Sequence, residues 1–107
     1  MEGFWTVHFN GVDGFGSGVV TLIGGQVFGG DSGFLYTGTY TDQANTLNAR
    51  IHVQLYVPGA SSVMGRDQFD LELAGTLNNN VITATGTIPG TPFQFRARLE
   101  RQRNLPR

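Results

Sequence analysis

Between Thr46 and Val57 every second residue is apolar. Leu47, Ala49, Ile51, Val53, Leu55 and Val57 share one face, and Asn48, Arg50, His52, Gln54 and Tyr56 share the other. Two is the side-chain period of a strand, not the 3.6 of a helix. An apolar comb facing a polar comb predicts a half-buried antiparallel strand, and such a strand must pair on both edges and bury one face.

The same period recurs along the chain. Trp5, Val7 and Phe9 alternate with Thr6 and His8. Val19 to Ile23 and Gln26 to Phe28 flank Gly24-Gly25, a type I′ hairpin signal. Phe34 to Thr41 places Phe34, Tyr36, Gly38 and Tyr40 on one face, and Asp42 to Asn45 turns the chain back. Asp67 to Gly75 points Phe69, Leu71 and Leu73 inward, and Leu77-Asn78-Asn79 predicts a turn. Asn80 to Ile88 sets Thr83, Thr85 and Thr87 against Ala84 and Gly86. After Pro89 to Pro92, Phe93, Phe95, Ala97 and Leu99 alternate with Gln94, Arg96, Arg98 and Glu100. Gly11 to Gly18, Gly29 to Gly33 and Pro58 to Arg66 read as connections.

About eight short strands and no convincing helix predict an all-β chain. Open edges are a liability that closure removes, so the expected form is a single small antiparallel β-barrel over residues 1–101. Residues 102–107 are expected to be a flexible tail. The glycine content, 16 of 107 residues, suits hairpins and barrel bends, with Gly38, Gly75 and Gly86 as candidate bends.

Composition excludes several kinds of chemistry. The chain has no Cys and no Lys. Disulfide scaffolds, Cys-ligated zinc, thiol and lysine catalysis and a lysine-bearing P-loop are therefore excluded. Glycines around Asp31 do not open a helix, so a phosphate-cradling loop is excluded as well. No apolar run reaches membrane-helix length, and acidic Glu2 without a basic flank argues against a signal peptide. No membrane partner and a cytoplasmic location are expected.

The net charge of -1 conceals a segregation. Residues 1–95 hold two arginines against seven acids, whereas residues 96–107 hold five arginines and one glutamate. Arg96, Arg98, Arg101 and Arg103 thus form a candidate protein-interaction surface. Their neighbouring aromatics, Phe93 and Phe95, fall on the core face, so direct nucleic-acid binding is not expected. His8 and His52 lie on polar faces, and Asp67, Asp70 and Glu72 crowd one strand. A metal site or a carboxylate pair would need these groups gathered in space. They are read as solvated wall residues; no catalytic, cofactor or metal residue is assigned, and no enzyme activity is expected.

Gly3-Phe4-Trp5-Thr6-Val7, the block Gly16-Ser17-Gly18-Val19-Val20, the stretch Gly24-Gly25-Gln26-Val27-Phe28-Gly29-Gly30-Asp31 and Tyr36-Thr37-Gly38-Thr39-Tyr40 together resemble the GrlR-like family. The resemblance covers most of residues 3–101. It implies a lipocalin-like barrel that dimerises and negatively regulates bacterial type III secretion genes by binding a helix-turn-helix activator. Where that family's regulator carries a cluster of acidic residues, this chain reads Thr41-Asp42-Gln43-Ala44-Asn45-Thr46, with Asp42 as its one acid. The expected function is accordingly non-enzymatic regulation through protein–protein binding, as a homodimer with a regulator as partner, and with Asp42 and the arginines at the contact. The alternative is a barrel that binds an apolar small molecule or lipid in its interior.

Overall fold

The computed structural model describes residues 1–11, 14–59 and 67–106. Among the described residues there are eight strands and no helix. They are β1 (Gly3–Gly11), β2 (Gly14–Ile23), β3 (Gln26–Gly30), β4 (Phe34–Gln43), β5 (Thr46–Leu55), β6 (Gln68–Asn78), β7 (Val81–Thr87) and β8 (Gln94–Arg103). Each pairs antiparallel with its neighbour in sequence, and β1 pairs with β8 to close the barrel. The chain is an all-β, single up-and-down barrel, as its alternation predicts.

The predicted combs face inward. Leu47, Ala49, Ile51 and Val53 of β5 are buried, as are Phe69, Leu71 and Leu73 of β6. Val57, the last tooth of the β5 comb, lies past the end of the strand and is exposed. Gly24 and Gly25 adopt φ of 57° and 82°, the left-handed pair a type I′ hairpin requires.

Several boundaries differ from the sequence reading; β3, for one, runs through Gly30 into the expected connection. The expected connection Gly11 to Gly18 is mostly strand, since β2 starts at Gly14. A Cβ on Gly16 would overlap the Phe9 ring, and one on Gly18 would press on the Gly30 carbonyl and the Tyr36 ring. These glycines leave space for two rings rather than loosen the chain.

The turn expected at Leu77 to Asn79 falls at Asn79-Asn80, with φ of 52° and 66°. Leu77 stays in β6 opposite Ile82. Likewise β4 runs to Gln43, and only Ala44 and Asn45 turn, with φ of 52° and 67°.

The C-terminal strand is longer than expected. β8 continues through Arg103, so residues 102 and 103, assigned to the tail, belong to the strand, and Arg103 pairs with β1. Phe4 stands opposite Arg103 and Trp5 opposite Arg101, with a register shift between them. A bulge moves side chains off strict alternation while the backbone stays paired. The sequence pattern therefore fades there although the strand does not. The loop reading of Pro58 to Arg66 lies, beyond Gly59, outside the described residues.

The two ends of the barrel differ. The β2–β3, β4–β5 and β6–β7 turns surround one end, filled by buried Trp5, Tyr40 and Ile82. The N-terminal segment folds across it. The Trp5 Nε1 donates to the Met1 carbonyl at 3.2 Å, and the terminal ammonium pairs with Asp42 Oδ2 at 2.8 Å. Gly24 N donates to Glu2 Oε2 at 2.8 Å. The other end, at the β3–β4 turn, stays less filled.

Candidate functional site: the barrel interior

Between the plugged end and the β3–β4 turn lies a cavity of about 420 Å³. Ligand pockets typically span roughly 300–1,000 Å³, so its size is that of a small-molecule site. Its wall is aliphatic and aromatic, with Val20, Leu22, Ile51, Leu71, Phe95 and Leu99 prominent. Small residues hold it open: Ala49 and Ala97 face it, where larger side chains would fill it. Trp5 and Tyr40 do not reach it.

One polar group is built into this wall. Asp31 begins the β3–β4 turn and lines the cavity together with Tyr36. Asp31 Oδ1 accepts hydrogen bonds from Gly33 N and Phe34 N, each at 2.8 Å. These bonds form an Asx turn and fix the carboxylate plane. Asp31 Oδ2 accepts the hydroxyl of Tyr36, which points inward from β4. The edge of Phe9 meets the Tyr36 ring at a centroid distance of 6.3 Å and 73° between planes.

Burial raises the pKa of the Tyr36 hydroxyl well above the ordinary tyrosine range; the hydrogen bond to Asp31 and the Asp31 charge push the same way. The phenol is therefore neutral and spends its proton on Asp31. A strap holds the turn from outside: Tyr56 Oη donates to the Asp31 carbonyl at 2.8 Å, and Tyr56 N donates to the Gly33 carbonyl at 2.9 Å. Asp31 is the only charged side chain among the described residues that line the cavity.

The residues singled out in sequence fall elsewhere. Arg96 and Arg98 project from β8, exposed, opposite Asn10 and His8 of β1. Arg98 Nε reaches Glu100 Oε1 at 3.3 Å. Arg103 is exposed and its Nη1 donates to the Gln102 carbonyl at 2.7 Å.

Arg101 is half-buried. Its guanidinium carbon lies 4.8 Å from the Trp5 ring centroid, and its Nε is buried. Asp42 is at the plugged end, where its Oδ2 pairs with the Met1 ammonium, and Arg103 stands opposite Phe4 near the same end.

His8 and His52 stand on β1 and β5, half the barrel apart. His52 Nδ1 lies 2.7 Å from Asp70 Oδ1, and Arg50 Nη2 lies 3.1 Å from Glu72 Oε1. The crowded carboxylates are thus paired across β5 and β6 on the outer wall. A shallow depression of about 410 Å³ beside them is lined by Arg50, Gln68, Asp70, Glu72 and Pro89. Asp67 precedes β6, and its carbonyl accepts from Leu55 N at 2.9 Å. Among the described residues no three His, Asp or Glu side chains gather as a metal site would require.

Sequence reasoning missed Asp31–Tyr36 as a unit. The turn at Asp31 is legible, and so is the inward direction of Tyr36. Their meeting follows from combining the two: an Asx turn leaves one carboxylate oxygen unused, and the next strand places an inward phenol at its third residue. Comparison with protein-family models and with curated protein sequences gives no match. The resemblance to GrlR-like proteins rests on the residues quoted for it.

Proposed function

We propose that the protein is a non-enzymatic binding protein that holds an apolar small molecule inside its barrel. The observation that carries this reading is the cavity of about 420 Å³ between a plugged end and the Asp31 turn. Cores are normally packed with few voids larger than a water molecule. An apolar cavity of this size leaves its lining atoms without contacts, a cost that an apolar occupant offsets. The test is titration with N-phenyl-1-naphthylamine, a neutral apolar fluorophore. Saturable binding of one probe per chain is expected, with loss of binding in Ala49→Trp and Ala97→Phe, which fill the space. Absence of saturable binding to the folded protein would overturn the reading.

A second reading, regulation through protein–protein contact, is favoured by a different surface from the arginines. The outer face of β2 to β4 exposes Val19, Ile23, Phe28 and Leu35, with Phe28 49% and Leu35 45% exposed. Val19 and Leu35 flank Gly30 across the sheet, and Thr21 and Thr37 flank Phe28, so the apolar side chains stand among small and hydroxyl-bearing ones. No charged side chain interrupts this face, which suits a second copy of the same face in a two-fold contact. Sedimentation equilibrium is expected to show a dimer that Phe28→Glu dissociates. A wild-type monomer at high concentration would reject this contact.

A further inference from the structure

We infer that the cavity selects an amphiphile whose polar end donates hydrogen bonds, a long-chain amine or alcohol, and disfavours a fatty-acid carboxylate. The inference rests on the proposed binding of an apolar molecule in the barrel and adds the chemistry of its polar end. It follows from the direction of the hydrogen bonds at the turn. Asp31 accepts from Gly33 N, Phe34 N and the Tyr36 hydroxyl, and it has no proton to offer. The Tyr36 proton is committed to Asp31, so its oxygen faces the cavity as an acceptor.

Charge acts in the same sense. Among the described residues of the lining, Asp31 is the only charged one, and none is an arginine or a histidine. A ligand carboxylate placed there would face a like charge and two groups with no free donor, in surroundings where water screens poorly. An ammonium or hydroxyl would instead complete the chain of hydrogen bonds from ligand to Tyr36 to Asp31. The hydroxyls of Ser17 and Ser32 stand at the mouth, exposed, and do not supply a charge.

The experiment is displacement of bound N-phenyl-1-naphthylamine by decylamine, 1-decanol and decanoate, each below its micelle concentration. These competitors share a tail and differ in the head. Decylamine and decanol are expected to displace the probe, with decanoate at least about tenfold weaker than decylamine, the scale of one hydrogen bond to a charged group.

Asp31→Asn distinguishes a directional effect from a general one. The asparagine Oδ1 can keep both backbone bonds, while its Nδ2 donates to the Tyr36 oxygen and frees the phenolic proton toward the cavity. The gap between decylamine and decanoate should then close or reverse. Tyr36→Phe leaves Asp31 Oδ2 open and should preserve the preference for decylamine, a result independent of whether Asp31→Asn folds. Equal affinity for all competitors, or tightest binding of decanoate, would overturn the inference and leave the apolar-binding reading intact. A probe that fails to bind the folded wild-type chain would overturn both.

Discussion

The guanidinium of Arg101 stacks over the ring of Trp5, 4.8 Å from its centroid, and joins the last strand to the first at the plugged end of the barrel. Trp5 is fully buried there, and the N-terminal segment covers it through the Met1 carbonyl. The contact sits where β1 and β8 close the sheet, beside the register shift between Phe4 and Trp5. Arg101 therefore acts as a lid on an aromatic core residue. The other arginines of the strand, Arg96 and Arg98, stand in solvent.

Replacing Arg101 should cost stability that replacing Arg98 does not. Loss of the cation–π contact and of the stem packed on Trp5 is expected to lower the unfolding free energy by about 1–3 kcal/mol in Arg101→Ala. Arg98→Ala should change it by less than ~0.5 kcal/mol, since an exposed side chain loses little. Urea denaturation followed by the fluorescence of Trp5, the single tryptophan, reads both. Equal effects would show that the stacking contributes nothing measurable.

Phe95 occupies the place that a side chain on Gly86 would take. The residues pair across β7 and β8, and a Cβ on Gly86 would overlap the Phe95 ring. An aromatic ring cannot yield as a flexible chain would. Gly86→Ala should destabilise by about 1–3 kcal/mol, the usual cost of overpacking. Phe95→Leu in the same chain should recover part of that loss. A double-mutant cycle on urea midpoints gives the coupling, and strict additivity would separate the positions.

How much of this was legible in the sequence differs between wall and contents. Strand count and the inward face of each strand followed from period-two alternation, a local property of the backbone, and closure followed from the need to leave no open edge. The glycines at 16, 18 and 86 were harder. Composition alone does not distinguish a glycine that loosens a loop from one that admits a neighbouring ring, and the rings of Phe9, Tyr36 and Phe95 come from other strands.

Arg101 shows the same limit. It follows Phe95, Ala97 and Leu99 on the inward side of β8, ahead of the register shift, and the ring it packs on comes from the first strand. The cavity depends on how much volume the inward side chains leave unfilled, and that quantity belongs to the whole barrel rather than to any segment.

Alkaline pH should destabilise the fold, in part through Tyr36. Burial, then the Asp31 hydrogen bond and charge, hold its pKa far above the usual value of about 10. Burial raises Tyr40 as well. Above pH ~10 the unfolded chain releases phenolic protons that the folded chain keeps. The folded state then binds more protons, so stability falls as pH rises. The contribution is intact below pH ~10, and each further pH unit removes at most about 1.4 kcal/mol per such phenol. Urea midpoints between about pH 8 and 11 should fall more steeply for wild type than for Tyr36→Phe, with Tyr40 supplying a remaining slope. Parallel slopes would show that Tyr36 ionises normally.

Ala44 offers a stabilising change. It adopts φ of 52° at the β4–β5 turn, with Asn45 following at 67°. Left-handed backbone brings a Cβ close to the following carbonyl, at a cost of about 1–2 kcal/mol for an ordinary residue. Glycine lacks that cost but loses more chain entropy on folding, which offsets about 0.5–1 kcal/mol of the gain. The net expectation for Ala44→Gly is a stabilisation of about 0.5–1 kcal/mol, or a rise in Tm of about 2–8 °C for a domain of this size. The side chain of Ala44 is exposed, so no packing is lost in exchange. Asn79 and Asn80 hold the equivalent left-handed pair at the β6–β7 turn with residues that tolerate it. Asn79→Ala should therefore destabilise as Ala44→Gly stabilises. Thermal unfolding by circular dichroism would measure both, and a fall in Tm for Ala44→Gly would refute the strain assigned to this turn.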